Sequence, residues 1–148
     1  MKELHGAASV LVSSPITECF DLLCEVERYP SWYPEVVREA SVLERDENRR
    51  PTKARATLHV AAGPLVRDFN LLLAVSTVQP TLVRLARIPH DASDEEQFDV
   101  TWRLEQHSGT RIQLDLEASL SVPRLLPIGG LGDSLADGFA RAAASALA

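Results

Sequence analysis

The sequence predicts an α+β fold: a curved antiparallel sheet of six to seven strands with a long C-terminal helix against it. Three observations predict it. Between Val36 and Leu120 the chain reads as run after run of alternating apolar and polar residues, separated by charged, glycine or proline turns. Helical spacing occurs in two places, before this block and after it. Of the two helices, only the C-terminal one is long enough to cover a sheet. The predicted order is strand, helix, broken helix, six strands, helix, in one domain spanning residues 1–148.

Val10 and Val12 alternate with serines and make a short first strand. In "SSPITECFDLLCEV" a serine cap and Pro15 at the first helical position open a helix, with Ile16, Phe20 and Leu23 on one face, running to about Glu27. Pro30 and Pro34 in "YPSWYPE" leave at most one further helical turn. Val36–Leu43 is the next strand, ended by the charged turn "ERDENRRP". Lys53–Ala61 places Ala54, Ala56, Leu58 and Val60 on one face. After "AAGP", Arg67–Thr77 puts Arg67, Phe69, Leu71, Leu73 and Val75 in one phase. Leu82–Ile88 is short, and "PHDASDEE" reads as a loop of solvated charge. The clearest signal follows. Phe98, Val100, Trp102 and Leu104 alternate with polar residues, "QHSG" turns the chain, and Ile112, Leu114, Leu116, Ala118 and Leu120 alternate again. That is an antiparallel hairpin with one covered face. "VPRLLPIGGLG" is a bend, and "DSLADGFARAAASALA" is a helix with Leu135, Phe139, Ala142 and Ala146 at helical spacing.

Fifteen basic and 21 acidic residues give a net charge of −6, which argues against a nucleic-acid or anionic-membrane surface. No apolar run reaches the roughly 18–20 residues of a membrane span. "MKELHGAASVLVSSP" lacks the apolar core of a signal peptide. A cytoplasmic protein without integral membrane association is expected, as a monomer or homodimer. Arginine in place of lysine and abundant alanine hint at a GC-rich bacterial genome. Cys19 and Cys24, five apart on one helix, read as free thiols. No histidines or cysteines show metal-ligand spacing, so no metal site is expected. No cofactor is expected either: "IGGLGDS" lacks the strand–turn–helix setting and the lysine of a phosphate loop.

Large residues on a curved sheet, opposite a helix lined by alanine, need not fill the space between them. The expected result is an apolar cavity with a few polar groups, suited to a small molecule. Three pieces of sequence then carry a family resemblance. They are the P-x-x-x-x-F helix start from Pro15 to Phe20, the V-E-x-Y-P-x-W-x-P segment from Val26 to Pro34, and the Trp102/Leu104 strand before the turn at Gly109 and Thr110. With the element order, they resemble the START-like (SRPBCC) superfamily of polyketide cyclases/dehydrases and lipid-transport proteins, near its coenzyme-Q-binding-like branch. The resemblance covers nearly the whole chain. It implies the helix-grip fold, with a ligand cavity between sheet and C-terminal helix. It implies no single ligand, because the superfamily holds carriers, cyclases, stress-response regulators and toxins.

The candidate site residues follow from this frame. Trp32 reads as a packing wedge at a rigid corner or as a gate at the cavity mouth, and Tyr33 is the better candidate to touch a ligand. Arg67, in phase with apolar residues, either reaches water from the sheet's end or anchors the polar end of a ligand. In the strand carrying Arg84 and Arg87 the phase is open: Leu82, Ala86 and Ile88 go with Arg84, Val83 and Leu85 with Arg87. Arg84 is carried as the ligand-facing candidate. Phe69, Leu71, Leu114 and Leu116 on the sheet, with Leu131, Leu135 and Phe139 on the helix side, supply the apolar wall. Trp102 is core or wall. Tyr33 and Arg67 are the catalytic candidates, a thin acid–base set for enolising a polyketone. The expected function is therefore binding or transport of a small hydrophobic ligand: a lipid, an isoprenoid quinone or a polyketide-like molecule. A polyketide aromatase/cyclase or dehydratase is the alternative. A protein-partner role like that of ribosome-associated toxin relatives is a third, which the negative charge disfavours.

Overall fold

A computed structural model describes residues 1–62, 65–122 and 129–148. Its elements are β1 (Lys2–Val12), α1 (Ile16–Cys24), a 3-10 turn (Val26–Arg28), α2 (Tyr29–Trp32), β2 (Val37–Arg45), β3 (Pro51–Ala62), β4 (Leu65–Val78), β5 (Leu82–Arg87), β6 (Gln97–Gln106), β7 (Thr110–Leu120) and α3 (Leu131–Leu147). The seven strands form one antiparallel sheet in the order β1-β7-β6-β5-β4-β3-β2. From β2 onward each strand pairs with its neighbour in sequence, which short turns permit, and β1 adds to the far side of β7. This is the predicted α+β helix-grip architecture. Register shifts in β2 at Val37/Glu39 and Val42/Glu44 bend that edge of the sheet.

Three local expectations are corrected. First, β1 begins at Lys2 rather than near Val10, because pairing with β7 runs from Lys2↔Leu120 to Val12↔Thr110. The small residues Gly6, Ala7 and Ala8 carry no strand signal of their own, and the partner strand supplies it. Second, α1 stops at Cys24, and Pro15 is its N-cap rather than its first helical residue. The Ser14 hydroxyl does not cap α1. It donates instead to the Leu147 carbonyl at 2.8 Å, joining the start of α1 to the end of α3. A nine-residue helix is marginal alone. Here it is held by burying Cys19, Phe20 and Leu23, the two larger side chains each contributing about 1.5–3 kcal/mol.

Third, the buried face of α3 is Leu131, Gly132, Ala136, Phe139, Ala140 and Ala143, not the row through Leu135, Ala142 and Ala146. The rotation has a cause at the helix start. Gly6 of β1 and Gly132 of α3 meet backbone to backbone. A Cβ on Gly6 would collide with the Gly132 carbonyl, and one on Gly132 with the His5 carbonyl. The Ala7 N–H also donates to Asp133 Oδ1 at 3.2 Å. These contacts draw α3 against β1 and leave the sheet face of β3 to β6 less closely covered. The "AAGP" turn and the bend after Val122 fall partly on residues 63–64 and 123–128, outside the described residues.

Candidate functional site

The inward phase of β3 and β4 is the one the alternation predicts: Ala54, Ala56, Leu58 and Val60 are buried, as are Phe69, Leu71, Leu73 and Val75. Opposite them stands the N-terminal half of α3. Between the two lies a cavity of about 230 Å³. Its walls are apolar side chains of β3, β4, β7 and α3, among them Leu58, Phe69, Leu116 and Leu135, and Phe98 comes from β6. The charged lining residues are Arg67, Asp68, Arg87 and Glu96.

These charges are organised. Arg67 lies over the Phe69 ring, 4.2 Å from guanidinium carbon to ring centre, a cation–π contact. Its Nη1 donates to the Ser121 carbonyl at 2.8 Å, and it faces the two Glu96 oxygens at 3.4 and 3.5 Å. Glu96 also accepts the Ser121 N–H at 2.9 Å. Arg67 thus ties β4 to the β5–β6 loop and to the segment leaving β7. Arg87 holds Asp94 through two hydrogen bonds of 2.9 and 2.6 Å and donates to the Glu96 carbonyl at 2.7 Å. Both partners of this pair are largely buried, with side-chain exposures of 14% and 13%. The Arg87 guanidinium, helped by the His90 and Glu96 N–H groups, holds the Asp94 carboxyl well below the usual carboxylate range. The loop read as solvated charge is therefore a paired rim around the cavity.

A smaller compartment of about 30 Å³ lies further in. It shares Leu58, Leu71 and Phe98 with the larger cavity and is closed by Tyr29, Val100 and Phe139. Its size admits a water, but its lining offers none of the two to four partners a buried water needs. The Tyr29 hydroxyl is already committed, donating to the Leu23 carbonyl at 2.6 Å. Burial pushes that hydroxyl's pKa far up, so it stays protonated; the Trp102 indole N–H, near it but without a hydrogen bond of normal geometry, opposes the shift. The inner compartment is a dry, apolar pocket.

Not every expected residue reaches this cavity. Arg67, Phe69, Leu71, Leu116, Leu131 and Leu135 line it. Phe139 lines the inner compartment. Arg84 does not: it lies on the outer face and pairs with Asp99. Val83 and Leu85 are the buried residues of β5, so Arg87, which shares their phase, takes the inward place. Trp102 and Leu114 are not among the lining residues either. They are cross-strand partners, each with no exposed surface, and Trp102 meets the edge of Phe139 at 6.5 Å between ring centres. Trp32 lies between Tyr29 and Tyr33, tilted against the first at 4.6 Å and stacked on the second at 6.4 Å between ring centres. Tyr33 in turn packs against Phe139 at 4.8 Å, with its hydroxyl over Gly138. Both line neither cavity compartment, and Tyr33 meets the site only through Phe139. Burial, then the nearby Glu35 and Asp137, push the Tyr33 hydroxyl's pKa upward.

Sequence reasoning left Arg87 open beside Arg84 and missed Glu96 and Phe98 as site residues. Phe98 was readable from its phase with Val100 and Trp102. Glu96 was not, since nothing local to the loop distinguishes a paired carboxylate from a hydrated one. Cys19 and Cys24 are free and buried, and burial raises both thiol pKa values. Among the described residues no cluster of metal-ligating side chains occurs, and no helix is long and apolar enough to cross a membrane.

A curved sheet gripping a C-terminal helix above an apolar cavity with a charged rim defines a START-like protein. The family model for polyketide cyclase/dehydrase and lipid transport matches residues 12–146, and the chain belongs to that family. No curated protein matches the chain. Among solved structures, a START superfamily protein from Mycobacterium smegmatis superposes with a TM-score of 0.76 at 16% identity, over 97% of each chain. The di-domain ARO/CYC StfQ from the steffimycin biosynthetic pathway gives a TM-score of 0.63 at 15% identity, over 98% of this chain and 50% of that one. The ginseng major latex-like protein 151 from Panax ginseng gives 0.64 at 10% identity, over 98% and 99%. At such identities the likeness is one of fold alone.

Proposed function

We propose that the protein binds and carries a small, mostly apolar molecule in the cavity beneath α3. The observation that carries this reading is the combination of an apolar interior with a rim whose arginines are both held in ion pairs. Apolar burial supplies the driving force, about 25 cal/mol per Å² before the costs of association. The family's lipid-transport branch supports the same reading.

The family description also includes cyclases, and a di-domain ARO/CYC shares the fold. Cyclisation of a polyketone needs an acid or base free to move a proton. Among the described residues that line the cavity, Arg67, Arg87 and Glu96 each hold an ionic partner, Asp68 is turned to the outer face where it hydrogen-bonds His59, and Tyr29 is committed to a carbonyl. This favours carrying over catalysis. An unchanged product distribution when the protein is added to a reactive polyketone agrees with it.

The direct test is native mass spectrometry and organic extraction of the purified protein, followed by a lipid and quinone binding panel. Ala118→Phe projects a ring from the cavity wall and is expected to abolish binding with the fold intact; Leu135→Trp, from the helix side, serves as a second variant. No bound molecule and no binding across the panel would overturn the proposal.

A further inference from the structure

The rim carries more information than the cavity volume. Arg67 and Arg87 are the only cations among the described residues that line the cavity, and both are neutralised within the protein. Facing them are two carboxylates, Glu96 on Arg67 and Asp94 on Arg87; Asp68 lies in the outward phase of β4, its Oδ1 2.7 Å from His59 Nδ1. Two cations against two carboxylates leave no positive charge unmatched at the rim. Yet Arg67 keeps donors in reserve. Among the described residues its Nη1 donates twice and its Nη2 once, so its Nε–H and a second Nη2–H meet no acceptor there.

We propose that this rim selects ligands whose polar end is uncharged and accepts hydrogen bonds, such as a ketone, and rejects carboxylates, and that Glu96 is the residue that sets the selection. The proposal rests on the carrier reading above. A carbonyl can accept an unused N–H of Arg67 and leave the Arg67–Glu96 pair in place. A carboxylate has two ways to reach Arg67, and both are unfavourable. It can share the guanidinium with Glu96, which brings like charges together at short range in a partly dry site. Or it can displace Glu96, leaving that charge without its cation and breaking the Ser121 hydrogen bond. Unfavourable like-charge contact is a strong means of specificity. The apolar end of the ligand passes Phe98 into the inner compartment, which offers no free polar group. Polarity is thus read at the rim alone, where Glu96 stands.

The experiment is displacement of the neutral fluorescent dye N-phenyl-1-naphthylamine at pH 7.5 by 2-nonanone and by nonanoate, the latter below its micellar concentration. The wild-type protein is expected to prefer the ketone at least tenfold. Glu96→Gln keeps an oxygen for the Ser121 N–H while removing the charge. It is expected to cut the preference to under threefold by tightening nonanoate. Asp68→Asn, on the outer face of β4, is a charge control expected to leave the ratio unchanged. A wild-type ratio near one, a ratio indifferent to Glu96→Gln, or one that Asp68→Asn moves as much, overturns the selection while the carrier reading stands, provided Ala118→Phe still abolishes dye binding. Failure of the dye to bind, or binding that Ala118→Phe leaves intact, removes the carrier reading and this selection with it.

Discussion

Gly138 shows how a single missing side chain positions an aromatic. The Tyr33 hydroxyl comes down on α3 at this residue, and a Cβ there would collide with it. Two effects oppose each other in Gly138→Ala. Replacing glycine inside a helix gains about 0.5–1 kcal/mol. Crowding a packed contact costs about 1–3 kcal/mol. In the wild type the second is expected to win. In a Tyr33→Phe background the hydroxyl is gone, and the helix gain remains. A double-mutant cycle by urea unfolding is therefore expected to show a coupling of about 1 kcal/mol or more. Equal effects in both backgrounds would mean that the ring swings aside freely. The place of Tyr33 at a proline-bounded corner was legible in the sequence; that its hydroxyl comes down on a helix about a hundred residues away was not.

At the scale of the element, the β5–β6 loop behaves as a structured rim because Arg87 gathers it around Asp94. The depressed Asp94 pKa gives the pH dependence its sign. An unfolded aspartate titrates near 3.9, and the folded one titrates lower. The pair's stabilisation is present above about pH 4 and is lost as pH falls from there toward the folded value. Amide hydrogen exchange in residues 88–96 is expected to quicken, relative to the rest of the sheet, below about pH 4. Asp94→Asn is expected to show the quickened exchange already at pH 7 and no further step on acidification. A loop equally protected in that variant at pH 7 would count against the pair as its anchor. This element marks a limit of sequence reading. The strand before the loop has apolar residues in both phases, so the inward arginine was undetermined, and the acidic loop could not be given a partner without it.

At the scale of the whole molecule, the fold was legible and the cavity only in kind. Strands β2 to β7 are joined to their sequence neighbours by short connections, so alternation and turn chemistry sufficed to order them. Whether space remains above the sheet depends on where α3 docks. That is decided by Gly6 and Gly132, which carry no periodic signal. A molecule that stores its ligand in such a space gains stability from it. At a free ligand concentration one hundred times Kd the gain is about 2.7 kcal/mol. For a domain of this size that raises Tm by roughly 5–11 °C. A thermal melt titrated with 2-nonanone checks this, and a flat Tm at saturating ketone would contradict binding to the native state.

The close approach of β1 and α3 has a mechanical corollary. Sliding the helix along the strand by one turn would bring the β-carbon of Leu135 or Ala136 to the place where only a hydrogen now fits. The pair therefore acts as an index pin. It fixes the longitudinal position of the helix whatever the cavity holds. A larger or smaller guest has to be accommodated by the opposite wall, through repacking or flexing of β3, β4 and β6. Changes of ligand size in engineered variants are accordingly best sought in the side chains of those strands, with the helix left alone.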